Sequence, residues 1–239
     1  EGSVDRVGAA RAVGAAGGAV FDRSAPAGAG APTGAVRAVG AAAVRGAAVG
    51  AEAVERGVAA DIRGRGVHIL AGEQGLILRS NGAGWTPQAS GTTRFLRAIW
   101  GTDPTNVFVV GDSGTVLRFD GGRWSAMAVP TTRRLRAIWG TGPNDIFAVG
   151  DSGTTLRFDG LTWQSFAPRT TRDLRALWGR SPTDVYAVGD SGTVLRYDGG
   201  GWTPQTNPLD RILYALFSLP GGNGVIAVGE RARIWEGRP

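Results

Sequence analysis

Tryptophan recurs in this sequence at a fixed spacing. Trp100, Trp139 and Trp178 lie thirty-nine residues apart, each is followed by glycine, and each belongs to a near-copy of the same segment. A segment of this length with several short apolar runs cannot bury a core of its own, so its copies must stack on one another. The spacing therefore predicts a repeat architecture in which neighbouring units stabilise each other.

Three marks recur in register along residues 58 to 239. A glycine follows an apolar run at Gly72, Gly111, Gly150, Gly189 and Gly229. A closing tryptophan occurs at Trp85, Trp124, Trp163 and Trp202, and an opening aromatic at Trp100, Trp139, Trp178 and Phe217. Only the last glycine is displaced by one position, which the glycine-rich stretch 221–224 explains. This part of the chain holds three clear units, a degenerate first unit and a shortened last one.

Each unit contains four short apolar runs separated by turn residues. In one unit the runs are 174–178, 185–188, 194–197 and the stretch after Trp202, with Gly-Asp-Ser-Gly and Asp-Gly-Gly-Gly between them. The connections are too short for crossover helices, so the strands are expected to form antiparallel meanders. Four antiparallel strands in a tandem repeat of this length are typical of a β-propeller blade, which predicts an all-β propeller.

The opening aromatics are expected to pack between blades rather than contact a ligand. Blades stack face to face around an axis, and a large ring at a fixed position fills the space between neighbours. The exchange of tryptophan for Phe217 in the last unit fits this role.

Two ways of closing the ring are open. The last unit ends one strand short of a blade, and the residues near 44–52 lie where the missing strand would fall, which would give about five blades. Alternatively, the visible units form a partial ring whose other blades lie outside this chain. Residues 1–57 are mostly Ala, Gly, Val and Arg, a low-complexity composition that predicts disorder apart from such a strand.

The chain is basic through arginine alone. It has 26 basic and 20 acidic residues, a net charge of +6 and no lysine. The absence of cysteine excludes disulfides and thiolate chemistry. No apolar stretch predicts a membrane span, and the start at Glu1 rather than methionine favours a piece of a longer protein.

Two columns of arginines recur in register and are the candidate binding residues. The first column is Arg94, Arg133, Arg172 and Arg211, and the second is Arg97, Arg136 and Arg175. Aspartates recur at the same period at Asp112, Asp151 and Asp190, and again at Asp120, Asp159 and Asp198. Because these acids offer each arginine a local partner, an unopposed basic stripe is not assured.

The unit running from Leu135 through the Val-Gly-Asp-Ser-Gly-Thr stretch to Trp163 resembles the bacterial BNR or Asp-box propellers and the photosystem II assembly-factor propellers. The resemblance covers residues 58 to 239. It implies that an aspartate caps the turn between the third and fourth strands and that a tryptophan anchors this turn. The matching residues are Asp120, Asp159 and Asp198 and Trp124, Trp163 and Trp202. The resemblance also implies a location in the cell envelope or outside the cell.

Catalytic and metal chemistry find little support in the sequence. A sialidase-like glycoside hydrolase would need residues that occur once, whereas the arginines here recur in every unit. His68, the only histidine, is expected to be a strand residue and not a metal ligand. The repeated Gly-Asp-Ser-Gly lacks the ligands of a calcium or phosphate loop, so a tight turn is predicted there.

These observations favour a non-enzymatic propeller scaffold that binds a protein partner or a glycan, with no cofactor and no metal. The chain is expected to be a monomer or part of a longer chain. The alternatives are a sialidase-like hydrolase, argued from fold analogy, and nucleic-acid or polyanion binding through the arginine columns, which is less favoured.

Overall fold

The computed structural model describes residues 37–39, 58–61, 67–167, 169–208, 210–218, 224–230 and 234–237. Within these ranges, twenty strands form five antiparallel sheets, and the only helical elements are short 3-10 turns. We number the sheets 1 to 5 in chain order.

Sheets 2, 3 and 4 are three copies of one four-stranded meander. Sheet 2 consists of β6 (Leu96–Asp103), β7 (Asn106–Gly111), β8 (Val116–Phe119) and β9 (Trp124–Ala126). Sheet 3 consists of β10 (Leu135–Gly142), β11 (Asp145–Gly150), β12 (Thr155–Phe158) and β13 (Trp163–Ser165). Sheet 4 consists of β14 (Leu174–Ser181), β15 (Asp184–Gly189), β16 (Val194–Tyr197) and β17 (Trp202–Pro204). The predicted four-stranded antiparallel unit is confirmed.

The two end sheets differ from this pattern. Sheet 1 has five strands, β1 (Arg37–Val39), β2 (Val58–Asp61), β3 (His68–Ala71), β4 (Ile77–Ser80) and β5 (Trp85–Gln88). Sheet 5 has three, β18 (Leu213–Ser218), β19 (Val225–Gly229) and β20 (Ile234–Gly237). β1 lies in the segment 1–57 and pairs with β2. The predicted closing strand at 44–52 lies outside the described residues and stays a prediction.

The second strand of sheets 2, 3 and 4 supplies side chains to two different cores. Val107 and Val109 on β7 belong to a cluster shared with sheet 1, whereas Phe108 and Val110 belong to one shared with sheet 3. Successive side chains of a strand point to opposite faces, so a strand buried on both faces serves both neighbours. The β7 residues are accordingly all buried.

Each hydrophobic cluster lies between two consecutive sheets. The four clusters join sheet 1 to 2, 2 to 3, 3 to 4 and 4 to 5. We call each of these contacts a seam and name it by its two sheets. The first strands of the repeats, β2, β6, β10, β14 and β18, also contact one another in that order. This stacking of four-stranded meanders is the arrangement of β-propeller blades, as the repeat predicts.

The tryptophan ladder lies in the seams. Trp100 is buried in the cluster of seam 2–3, and Trp139 and Trp178 pack against the clusters of seams 3–4 and 4–5. The glycines that follow Trp139 and Trp178 make room for the tryptophan ring of the preceding sheet. A Cβ atom on Gly179 would lie 2.6 Å from Cζ3 of Trp139, and one on Gly140 would lie 2.9 Å from Cζ2 of Trp100. Tryptophan and glycine of adjacent units therefore form one packing pair.

Replacing Gly179 by alanine is expected to destabilise the fold by about 1–3 kcal/mol, because a well-packed ring must move to admit the new methyl group. The measurement is the free energy of unfolding in urea. Trp139→Phe in the same chain is expected to recover part of the loss, since the atoms in the way belong to the large ring of Trp139.

Gly142→Ala is the matched control, because nothing lies within 4 Å of a Cβ atom at Gly142. It is expected to leave the free energy of unfolding unchanged or slightly raised. Equal losses from Gly179→Ala and Gly142→Ala would contradict the packing pair.

Candidate functional site

The loops that lead into β6, β10 and β14 lie beside the short turns between the second and third strands. Within a sheet, the Asp112 N–H donates to the Phe95 carbonyl at 2.9 Å. Between sheets, the Gly114 N–H donates to the Arg133 carbonyl at 2.8 Å. The loops 92–94, 131–133 and 170–172 and the turns Asp112–Gly114, Asp151–Gly153 and Asp190–Gly192 therefore form one continuous surface, which we call the arginine face.

Each turn on this face holds a serine in the left-handed region. The φ angles of Ser113, Ser152 and Ser191 are 56°, 53° and 51°. Non-glycine residues adopt this conformation at a cost and only where the surrounding structure fixes them. The repeated Gly-Asp-Ser-Gly is thus a tight turn, in the form of a single 3-10 turn.

The first arginine column is exposed on this face. Arg94, Arg133 and Arg172 each follow a threonine hydroxyl that accepts a hydrogen bond from the arginine N–H, at 3.1, 3.1 and 3.0 Å. These turns fix the backbone, while the side chains extend into solvent. Over the part of the chain that the structure describes, none of the three guanidinium groups has an acidic partner.

The second arginine column is engaged in ion pairs. Arg97, Arg136 and Arg175 pair through Nε with Asp112, Asp151 and Asp190, respectively. Nη2 of Arg97 donates a second hydrogen bond to Asp112 at 3.0 Å, and Nη2 of Arg175 donates one to Asp190 at 3.1 Å. Nη2 of Arg136 instead donates to Asp173 of the next sheet, at 2.9 Å. The expected local partners are present for this column.

These pairs are half-buried and alter the titration of their members. The hydrogen bond from Arg97 lowers the pKa of Asp112 below its ordinary value of 3.8. The hydrogen bond to Asp190 raises the pKa of Arg175 above its ordinary value. The side chains of the second column are only 17–27% exposed. Its charge is thus neutralised within the fold.

The Asp-box residues lie at the other end of the sheets. Asp159 Oδ1 accepts hydrogen bonds from the N–H groups of Leu161 and Thr162, both at 2.8 Å, and Asp120 and Asp198 do the same in their turns. These backbone bonds lower the pKa of each of the three aspartates. The closing tryptophans, Trp124, Trp163 and Trp202, are buried and pack on the aromatic residue at the end of the preceding strand.

Sequence reasoning missed a third arginine column on the third strands. Arg118, Arg157 and Arg196 donate to Asn106, Asp145 and Asp184 at 3.1, 2.8 and 2.9 Å. Each guanidinium also lies over an aromatic ring of the second strand, 5.5–5.6 Å from its centroid. This column could have been predicted from the sequence, because the arginine and its hydrogen-bond partner both recur at the repeat period, twelve residues apart.

One position on the arginine face differs from sheet to sheet in sheets 2 to 5. It immediately precedes the first strand of a sheet, and we call it the seam position; it is occupied by Phe95, Arg134, Asp173 and Ile212. At seam 4–5, where it is Ile212, an open pocket of about 370 Å³ lies on the face, and Arg172 and Arg211 are part of its lining.

The described ranges hold neither a metal-binding cluster nor a membrane-spanning helix. No group of three or more His, Cys, Asp or Glu side chains in the described ranges could hold a metal ion. His68 is a partly buried residue of β3. The described residues contain no helix with the length and apolarity of a membrane span.

The geometry thus defines a β-propeller in which the arginine face carries the exposed column Arg94, Arg133 and Arg172. No protein-family model and no curated protein matches the chain. It is similar to YCF48 bound to D1 peptide, with a TM-score of 0.57 and 19% identity over 73% of this chain and 62% of that chain. It is also similar to YCF48 from Cyanidioschyzon merolae, with a TM-score of 0.57 and 18% identity over 75% of this chain and 66% of that chain.

These similarities concern the fold. The chain spans about two thirds or less of each YCF48 structure. YCF48 is a photosystem II assembly factor and a β-propeller, so the resemblance to the assembly-factor propellers is confirmed at the level of fold. The resemblance to the BNR or Asp-box proteins stays a prediction.

Asp112→Asn tests the ion pair with Arg97 through its pH dependence. The pKa of Asp112 is lower in the folded chain than in the unfolded chain. Its contribution to stability is therefore present above the ordinary value of 3.8 and is lost as the pH falls through the folded value. We expect the variant to be less stable at neutral pH and to lose less stability between about pH 5 and pH 2. The measurement is the urea midpoint as a function of pH, and parallel curves for variant and wild type would contradict the pairing.

Proposed function

We propose that this chain is a non-enzymatic β-propeller scaffold whose arginine face binds a carboxylate-bearing segment of a protein partner. The observation that carries the proposal is the exposed column of Arg94, Arg133 and Arg172, which has no acidic partner among the residues described. Guanidinium groups form strong, directional hydrogen bonds with carboxylates, so a row of unpaired ones favours an acidic segment.

The other arginines make this face the preferred one. Those of the second column are paired with the turn aspartates, and those of the third column are held by the acid or amide that begins the second strand and by an aromatic ring. Removing an arginine from such a pair to bind a ligand would leave a half-buried carboxylate unsatisfied, which costs about 1–3 kcal/mol. The first column binds without this cost.

The regular spacing of the column suits an extended segment. The same threonine hydroxyl bond precedes each arginine, and the backbone of the loops is tied to the turns of two sheets. A rigid backbone reduces the ordering cost of binding. Since YCF48 bound to D1 peptide has a similar fold, peptide binding by a propeller of this shape supports the same general role here.

A protein partner is favoured over repeated glycan sites. Multivalent glycan binding would draw on equivalent pockets in successive seams. The seam position instead changes from Phe95 through Arg134 and Asp173 to Ile212, so successive seams present different chemistry. A sialidase-like site is disfavoured as well, because the arginines of the second column are already paired with carboxylates of the chain.

A peptide-display selection against the full chain tests this function. We expect selected peptides to be enriched in Asp and Glu, and Arg133→Gln to weaken their binding about tenfold, because one charge-assisted hydrogen bond is lost. Binding is measured by fluorescence anisotropy with synthetic copies of the selected peptides.

Arg123→Gln is the charge-matched control. Arg123 is 83% exposed and lies in the Asp120 turn at the opposite end of the sheets. Equal effects of Arg133→Gln and Arg123→Gln would show non-specific attraction to a basic protein and overturn the proposal. Selection of peptides without acidic residues would overturn it too. A glycan array and a sialoside turnover assay on the same sample test the lectin and hydrolase alternatives.

A further inference from the structure

The side chain at the seam position reaches the turn of the preceding sheet. In seam 2–3, Nε of Arg134 lies 3.0 Å from Oδ1 of Asp112. In seam 3–4, Oδ1 of Asp173 accepts a hydrogen bond from the Ser152 N–H at 3.0 Å. Arg134 and Asp173 thus reach equivalent turns. The side chain at the seam position determines which chemical group contacts the turn.

Asp173 shows how a carboxylate is held there. Its Oδ1 accepts from the Ser152 N–H, and its Oδ2 accepts from Nη2 of Arg136 at 2.9 Å. Ser152 can offer its N–H in this direction because the left-handed turn is fixed by the hydrogen bonds of its neighbours. A turn N–H and a guanidinium nitrogen together form a two-point carboxylate site.

Seam 4–5 repeats these donors without the carboxylate. Ser191 and Arg175 stand one repeat after Ser152 and Arg136, and Ser191 has the same left-handed φ. Ile212 replaces Asp173, so no carboxylate of the described chain accepts from the Ser191 N–H, and Nη2 of Arg175 turns back to Asp190 at 3.1 Å. The pocket of about 370 Å³ lies here, and Ser191, Asp190 and Ile212 line it.

The pocket is lined by two arginines, Arg172 and Arg211, and by the carboxylates of Asp173, Asp190, Asp210 and Glu230. Asp173 and Asp190 are held by the contacts described above. Asp210 lies 3.3 Å from Nε of Arg211, and Glu230 accepts a long hydrogen bond from the Tyr214 hydroxyl at 3.4 Å. Arg172, from the exposed column, has no such partner within the described ranges.

At the other seams within the described ranges, the seam position carries a side chain with contacts of its own. Arg134 occupies seam 2–3 and Asp173 occupies seam 3–4. At seam 1–2 the ring of Phe95 lies 4.4 Å from the guanidinium carbon of Arg97. At seam 4–5, where the residue is Ile212, the turn residue Ser191 lines an open pocket.

We propose that the pocket of seam 4–5 binds a carboxylate of the partner segment, in the position that the Asp173 carboxylate occupies one repeat earlier. The Ser191 N–H donates to it, and Nη2 of Arg175 turns from Asp190 towards it while Nε keeps the ion pair with Asp190, as Arg136 does with Asp151 and Asp173. Arg172 contributes a further guanidinium at the rim. This inference rests on the proposed function, since it adds an anchoring point for one carboxylate to the arginine face. The carboxylate is that of an Asp or Glu side chain or of a chain end.

NMR titration of the full chain with small carboxylates tests the pocket directly. The probes are N-acetylalanine, which presents a chain-end carboxylate, and the α-amide of N-acetylaspartate, which presents a side-chain carboxylate; N-acetylalanine amide is the uncharged control. We expect a saturable shift of the Ser191 amide with at least one carboxylate, no shift with the amide, and no shift of Ser152, whose N–H is occupied by Asp173. The preferred probe identifies the source of the carboxylate, whereas equal responses at Ser152 and Ser191 would overturn the proposal.

Exchanging the seam residues provides matched variants. Ile212→Asp supplies the missing carboxylate from within the chain and is expected to weaken probe binding at Ser191 about tenfold or more. Ile212→Asn introduces a side chain of the size of aspartate without its charge. It is expected to weaken probe binding much less. Asp173→Ile is expected to create a new carboxylate response at Ser152. If Ile212→Asp and Ile212→Asn weaken probe binding equally, the shape of the pocket and not the added carboxylate determines binding, and the proposal is wrong.

The outcomes separate this inference from the proposed function. Loss of peptide binding in Arg133→Gln with no probe response at Ser191 would retain the acidic-partner function and reject the pocket. A probe response at Ser191 with peptide binding indifferent to Arg133→Gln would retain the pocket and reject the column as the partner site.

Discussion

Contact between consecutive sheets is the constraint on which the rest of this structure depends. Each hydrophobic cluster of the described chain joins two sheets, and strands such as β7 supply alternate side chains to the seams on either side. The Trp139 ring fits only because Gly179 of the next sheet has no side chain. Since no sheet has a complete core of its own, each added sheet stabilises the fold through its contacts with the neighbouring sheet, as in other repeat proteins.

The same stacking produces the arginine face. A loop that enters one sheet is tied to the turn of that sheet and to the turn of the sheet before it, as the Asp112 and Gly114 N–H bonds show. The arginines of the second column lie within this network and pair with aspartates. Those of the first column lie in the loops and remain exposed. The proposed function thus depends on exposed arginines that take no part in the packing, and the seam position adds variety to an otherwise regular surface.

Periodicity predicted the four-stranded units, the turns and the place of the tryptophans, because all of these recur at the repeat spacing. It could not separate the exposed Arg133 from the paired Arg136, since both recur equally and only the distance across the β10–β11 hairpin distinguishes them. The seam position was not predicted, because its residues do not recur at the repeat period. The roles of Asp173 and Ile212 depend on contacts between sheets, which periodicity does not reveal.

The most direct test of the central claim compares fragments that hold one, two and three of the regular units, such as residues 89–128, 89–167 and 89–206. Far-UV circular dichroism and urea unfolding measure whether each fragment folds. If the cores lie in the seams, the single unit has no stable structure, and the free energy of unfolding and its urea dependence rise with each added seam. A single unit that unfolds cooperatively with the stability of the longer fragments would contradict the account.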